Sequence, residues 1–427
     1  MQHLFSPFTY VLIYVAMWYL RLHEYPDTPI QFPILTVLQA MVLVLWLVRT
    51  PRRLDVPQVV LLPLLLLSMF VSTITNGWAG GVVDVFNRFV PTMLCFFMIA
   101  GTADSLGKLN LVAWVISLSV GIVGLHGILE AQTGVGWSGA TVVDETRITY
   151  VGLLNDPNDL AMALLMALPL QIYLLGTTRR WLLRGLLLAC IVAVLWSTYL
   201  TNSRGAILGL AALLATFSFR RYGFKRTALL SPLLAAALIA GAPSRMDDVS
   251  SGEESAAGRV DAWYEGFEML KERPLFGVGI NNFVEHHSLT AHNSFVLAMA
   301  ELGSVGYFLW LSLLAISIVM IWRILSFAWP QGQAPPAEEL ADWQAHQRFA
   351  AALLYTMIAF IVTGYFLSRS YVPVLYMTYG LCAAVYMVVR QRWPAVAPVL
   401  FAPLWGRMLM LEFGSIVAMR IVVAFLL

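Results

Sequence analysis

Runs of about 17 to 22 apolar residues, each long enough to cross roughly 30 Å of hydrocarbon as a helix, recur along nearly the whole sequence. No other feature restricts the fold so strongly. Inside lipid a spanning backbone must satisfy its own polar groups, so these segments have to be helices packed against helices. Composition agrees: 59% of the 427 residues are hydrophobic and 12% are charged, outside the range of soluble globular domains. The reading is an all-α polytopic membrane protein, one integral membrane domain over residues 1–427.

The sequence predicts about twelve spans, near 4–20, 30–48, 57–74, 83–100, 110–129, 157–176, 181–199, 204–219, 227–241, 293–322, 349–367 and 372–389. "LFSPFTYVLIYVAMWYL" lacks a basic leader and a cleavage site, so it reads as a retained first helix. Cys95, Cys190 and Cys382 all lie in apolar runs and suggest neither a disulfide framework nor a metal site.

Most Lys and Arg residues fall on alternate connections: "RTPRR", Lys108, "RRWLLR", "RRYGFKR", Arg323 with Arg348, and "RQR". The positive-inside rule makes these cytoplasmic and puts both termini inside. The opposite face then carries two long loops, 130–156 and 242–292, with many of the acids, including Asp144, Glu145, Asp156 and Asp159.

The first half of 242–292 is Gly/Ser-rich and reads as loop. The second half places Val260, Trp263, Phe267 and Leu270 at helical spacing before Pro274, which suits an amphipathic helix on the membrane surface. Residues 330–348 read as a linker. The segment 395–427, interrupted by Arg407, Glu412 and Arg420, reads as an interfacial helix rather than a further span.

Arginine should be scarce on the external face, yet Arg88, Arg147, Arg204, Arg245, Arg259 and Arg369 map there. Arg204 lies in "TNSRGA", a short hairpin turn where Asn202 and Ser203 suit the cap of the returning helix. Two further helices begin on that face with polar starts. Asp156 precedes Pro157, a favourable cap and first-position pair, with Asn158 and Asp159 in the first turn. His292 and Asn293 stand at the start of "SFVLAMA".

Helix N-termini, guanidiniums and an imidazole on one face suit a multiply charged anion carried by a lipid. Arg offers a planar fork to phosphate oxygens and can stabilise a leaving pyrophosphate. Helix dipole and nearby Arg charges would keep His292 neutral and able to accept a proton from an attacking hydroxyl.

Simpler readings exist for each residue. Arg204 could anchor a hairpin at headgroup level, Arg259 could snorkel, Arg245 could touch lipid headgroups, and Arg88 could pair with Asp84 at i,i+4. Arg369 could be another turn residue and His292 only a cap. "EHH" at 285–287 invites a metal reading with His292, but its spacing fits no zinc pattern.

Four stretches in order, "TRITYVGLLNDPNDLAM" (146–162), "TNSRGAILGL" (201–210), "GRVDAWYEGFEMLKERPLFGVGINNF" (258–283) and "AHNSFVLAMAELGSVGYFLW" (291–310), resemble the O-antigen ligase and polymerase superfamily. The resemblance implies a metal-independent, cofactor-free, inverting glycosyltransferase of the GT-C class in a bacterial inner membrane, its active site facing the periplasm. Its donor would be an undecaprenyl-pyrophosphate-linked glycan and its acceptor a glycan or lipid hydroxyl, with no nucleic-acid partner.

By the same resemblance His292 would activate the acceptor. Arg204 and Arg259 would hold the donor pyrophosphate, with Arg147 and Asn158 as further motif positions and Arg245 as the other arginine of the long loop. Arg147 is counted with the pyrophosphate ligands, and Asn293 and Arg369 are supporting candidates by their place on the external face. A transporter or flippase, or a non-catalytic assembly scaffold, would also fit the span count. Polar residues crowded on one face and halves that look dissimilar weigh against transport.

Overall fold

The computed structural model describes residues 6–26, 33–48, 54–144, 146–240, 249–329 and 336–426; for 229–240 and 249–256 it describes the backbone alone. Among these residues there is helix but no strand, only two isolated bridges, Val135 with Thr141 and Val143 with Arg147. The helices are α1 (Pro7–Leu20), α2 (Ile34–Val48), α3 (Gln58–Thr75), α4 (Val82–Thr102), α5 (Leu106–Thr133), α6 (Pro157–Thr177) and α7 (Trp181–Leu200). They continue with α8 (Arg204–Ala240), α9 (Val249–Glu272), α10 (Phe283–His286), α11 (Ser294–Ser326), α12 (Ala337–Gly364), α13 (Pro373–Arg392) and α14 (Trp405–Leu426).

Among the described residues nine helices are long and apolar enough to cross a membrane, and α1 and α2 are shorter apolar helices. The protein is thus polytopic and helical. The two helices expected at 204–219 and 227–241 are separated as anticipated, by a break in α8 at Gly223, whose φ 76° and ψ 175° are not helical. Three other elements differ from the sequence expectation. α12 starts at Ala337, inside the expected linker, because "AEELADWQAHQR" is made largely of good helix formers. α9 begins at Val249, within the stretch read as loop. α14, over the segment read as interfacial, has 22 residues and the length and composition of a span.

The chain divides into two units. One comprises 1–52, 98–245 and 324–363 and is built on α5, α6 and α7. Close approach of α5 to α7 requires Gly121 and Gly124: a Cβ on Gly121 would meet Cys190 Sγ at 2.5 Å, and one on Gly124 would meet the Ala193 backbone at 3.1 Å. Small residues at such a seam let helices in lipid gain dispersion contact where no hydrophobic force drives them together. The Ser197 hydroxyl donates to the Gly124 carbonyl across the same seam. α6 is buried along most of its length, apolar on all faces as a central helix must be. Gln171 donates to the Ser117 carbonyl at 3.1 Å and Thr356 to the Met166 carbonyl at 3.0 Å, so the buried polar groups link α6 to α5 and α12.

The other unit comprises 53–97, 246–323 and 364–427 and surrounds α13, which is almost wholly buried. Its main irregularity is in α11, which breaks at Gly303 (φ 63°). A break inside a buried helix frees backbone groups that must find partners. Here the loop 274–279 supplies them: Val278 and Gly279 N–H donate to the Ala300 and Glu301 carbonyls at 3.0 Å each. On the other side, Ser304 and Val305 N–H donate to Pro274 and Leu275 carbonyls at 2.8 and 3.1 Å. Two glycines allow the contact, since a Cβ on Gly303 or Gly277 would lie within 2.5 Å of the opposing backbone. The break is therefore filled by the chain itself.

Candidate active site

In the first unit the polar helix starts form one cluster. Ser203 caps α8, its hydroxyl accepting from Ala206 N–H at 3.3 Å, and Asn202 takes the left-handed φ of 51° that a tight turn needs. Arg204 is the first residue of α8 and is exposed. Asp156 caps α6, accepting from Asn158 N–H at 2.7 Å and Asp159 N–H at 3.3 Å.

Arg147 joins the two caps. Its Nε donates to the Thr201 carbonyl at 2.9 Å, and an Nη donates to Asn158 Oδ1 at 3.0 Å. Its other Nη lies 3.9 Å from the Asp144 carboxylate. One guanidinium thus ties "TRITY", "NDPND" and "TNSRG" together, a use of the planar fork that an ammonium could not copy.

What holds Arg147 was not legible in the sequence. The loop 134–150 folds back onto the end of α5, where Glu130, fully buried, accepts from Thr149 N–H at 3.1 Å and from the Thr149 hydroxyl at 3.3 Å. One turn earlier His126, also fully buried, pairs through Nε2 with the Ser138 hydroxyl at 2.7 Å. Tyr150 completes the anchor by donating to the Leu20 carbonyl at 2.6 Å, while its hydroxyl lies 2.7 Å from that of Tyr25. Burial pushes the Tyr150 phenol far above its usual range, so it stays neutral and able to donate. A His and a Glu at i,i+4 in an otherwise apolar helix end were the available signal, because such residues rarely enter a membrane helix without partners.

In the second unit, Asn293 and not His292 caps α11. Asn293 Oδ1 accepts from Phe295 N–H at 2.8 Å and Val296 N–H at 3.2 Å, and the residue is fully buried. His292 precedes the cap with φ 45°, a half-buried residue held in the left-handed region. Trp263 fixes its neighbour, donating Nε1–H to the Ala291 carbonyl at 2.9 Å. Arg259 lies one turn before Trp263 on α9 and so shares that face of the helix.

The turn carrying Arg369 is tied to the same place. Ser294 donates to the Leu367 carbonyl at 2.6 Å, Arg369 N–H donates to Ser294 Oγ at 3.0 Å, and Ser370 donates to the Ser294 carbonyl at 2.7 Å. The start of α11, the face of α9 bearing Arg259 and the Arg369 turn therefore form a second polar cluster.

The expected surface helix is different in kind. α9 buries Trp263, Gly266 and Phe267 against protein: Trp263 packs edge-on to Tyr365, Gly266 faces Val296, and Arg420 of α14 covers the Tyr264 and Phe267 rings. Of the "EHH" histidines, His287 Nε2 lies 3.1 Å from an Asp261 carboxylate oxygen and His286 Nδ1 lies 3.1 Å from the Asn282 carbonyl. Among the described residues no group of three His, Cys, Asp or Glu side chains is placed to hold a metal ion. The pair expected between Asp84 and Arg88 is not formed among the described residues; both side chains are exposed, where water screens the gain. Arg245 lies outside the described residues.

The fold is that of a polytopic helical membrane protein, and each unit carries its own polar cluster near a helix start, with Arg147 and Arg204 in one and His292 in the other. Residues 189–311 match the family described as O-antigen ligase. The match contains Arg204, Arg259, His292 and Asn293, and ends before Arg369. "TRITYVGLLNDPNDLAM" lies ahead of it and is joined to it through the Arg147 contacts. No curated protein matches the sequence.

Proposed function

We propose that the protein transfers a glycan from a polyprenyl-pyrophosphate carrier, of the undecaprenyl type, to an acceptor hydroxyl, at the periplasmic face of a bacterial inner membrane. The family match over 189–311 supports an O-antigen ligase or polymerase type of function. The observation that carries the reading further is Arg147, which binds the turn before Arg204 and the Asn158 start in one rigid arrangement.

In the reaction, the acceptor oxygen attacks the anomeric carbon from the side opposite the pyrophosphate, whose C–O bond breaks, so the anomeric configuration inverts. His292 accepts the hydroxyl proton as general base. Arg204 and Arg259 stabilise the charge that develops on the departing pyrophosphate, in place of a metal ion. Arg147 and Asn158 set the position of the Arg204 turn. Asn293 fixes the start of α11 that follows His292, and Arg369 adds positive potential to the same cluster.

The test is reconstitution with a defined polyprenyl-pyrophosphate oligosaccharide in EDTA, with mass analysis of the product. Arg204→Ala and His292→Ala abolish transfer at unchanged membrane abundance on this reading. Full activity in both variants would show a scaffold, and movement of intact donor across the bilayer without transfer would show a flippase.

A further inference from the structure

At the end of α6 remote from its Asp156 cap, the first unit contains a cavity of about 530 Å³. Arg179 and Arg184 enter it from the α6–α7 turn and from α7, and Arg348 enters it from α12. Tyr173, Asn110 and Thr177 supply uncharged polar walls, with the Tyr173 hydroxyl donating to Asn110 Oδ1 at 2.9 Å. No Asp or Glu lines the cavity, and among the described residues none of the three guanidiniums forms an ion pair. Arg348 also lines a smaller cavity of about 330 Å³ together with Arg220.

Three like charges round one concavity repel one another, which favours an anion that can satisfy all three. Phosphate matches the chemistry, since guanidinium forks bind its oxygens in pairs and the Asn110 amide, whose oxygen is held by the Tyr173 hydroxyl, can offer its N–H groups to a further one. The rim indicates how the phosphate arrives. Trp181, Leu182 and Leu186 of α7, beside Arg184, are 78%, 64% and 44% exposed, a continuous apolar surface on a helix of spanning length. Acyl chains would cover that surface while a headgroup entered the cavity. Free phosphate offers the same oxygens but would leave the apolar rim bare.

We propose that this cavity binds a phosphate group, presented by an anionic phospholipid whose chains lie along α7. The site is at the other end of α6 from Arg147 and does not depend on the proposed transfer reaction. It resembles in kind the basic pockets between membrane helices that select anionic headgroups.

The experiment uses the full chain in nanodiscs of phosphatidylcholine with and without phosphatidylglycerol or cardiolipin, and in detergent with inorganic phosphate. Retained lipid is counted by native mass spectrometry and Tm is followed alongside. Anionic lipid is expected to remain bound and to raise Tm, while inorganic phosphate at the same concentration does neither. Each guanidinium contributes roughly fivefold to binding, so the triple change R179Q/R184Q/R348Q lowers retention on the order of a hundredfold. Arg407→Gln, at an exposed site on α14, leaves it unchanged.

The charge-preserving triple R179K/R184K/R348K guards against misfolding and retains part of the binding. Equal retention of anionic lipid by wild type and the glutamine triple overturns the site. Protection by inorganic phosphate, lost in the triple, keeps the phosphate site and removes the lipid as its source.

Discussion

Glu130 accepts both the backbone N–H and the hydroxyl of Thr149, at 3.1 and 3.3 Å, inside a fully buried corner. Thr149 is two residues from Arg147, so the carboxylate sets where that guanidinium's backbone lies. Glu130→Leu leaves both donors unpaired and should cost about 1–3 kcal/mol. Glu130→Gln keeps an acceptor oxygen and should cost less. Thermal unfolding in detergent orders the three proteins; equal Tm values for all three would remove Glu130 from the anchoring of this loop.

Arg147 acts by geometry as much as by charge. Arg147→Lys keeps the cation but cannot reach the Thr201 carbonyl and Asn158 Oδ1 together. Misplacing the Arg204 turn by about 1 Å should lower transfer on the order of a hundredfold. The lysine variant should therefore lose nearly as much activity as Arg147→Ala, at similar membrane abundance. Recovery of most activity by lysine would mean that charge alone matters there.

The filled break in α11 predicts intolerance to the smallest side chain. Gly303→Ala combines a left-handed φ with a Cβ placed 2.5 Å from the Gly277 and Leu275 backbones, which cannot yield as a flexible side chain would. A loss of about 1 kcal/mol for the conformation and roughly 1–3 kcal/mol for overpacking follows. Gly176→Ala, where nothing lies within 4 Å of the added carbon, is the control and should unfold like wild type.

Asn293 separates capping from chemistry. Asn293→Ala removes the acceptor for the Phe295 and Val296 N–H groups and should cost about 1 kcal/mol, whereas Asn293→Ser preserves a cap oxygen. Both should keep measurable transfer under conditions where they are folded, in contrast to His292→Ala.

His287, outside every helix of spanning length, gives the second unit a pH dependence. Burial opposes its charge, but the Leu289 carbonyl and the Asp261 and Glu265 carboxylates outweigh that and hold its pKa above the ordinary value. A raised folded pKa stabilises the fold fully below the unfolded value of about 6.5, and the stabilisation is lost as pH rises through the folded pKa. Asp261 is largely exposed, so the effect is modest, about 0–1 kcal/mol. Tm measured from pH 5.5 to 8.5 should fall slightly more for wild type than for Asp261→Asn.

Much of the fold was legible in the sequence because a bilayer allows few solutions. Apolar length fixed the helical class, and Asp156–Pro157 and Ser203–Arg204 marked helix starts through local cap chemistry that needs no distant partner. The ordered stretches pointed to the same family that residues 189–311 match. Where polar composition stood in for structure, as at 249–258 and 337–348, helix replaced the expected loop and linker.

The sequence by itself determined that this chain is a membrane-spanning helical protein with cationic and polar residues at selected helix starts, since hydropathy, charge and caps act over a few residues. Only the tertiary structure decided which of those residues meet: Arg147 with Thr201 and Asn158, Glu130 with Thr149, Trp263 with Ala291. Such contacts join positions 11 to 54 residues apart, and helix periodicity specifies a face without naming what packs on it. The filled break at Gly303 was hidden for the same reason, because a glycine in an apolar run signals nothing until the opposing backbone is in place.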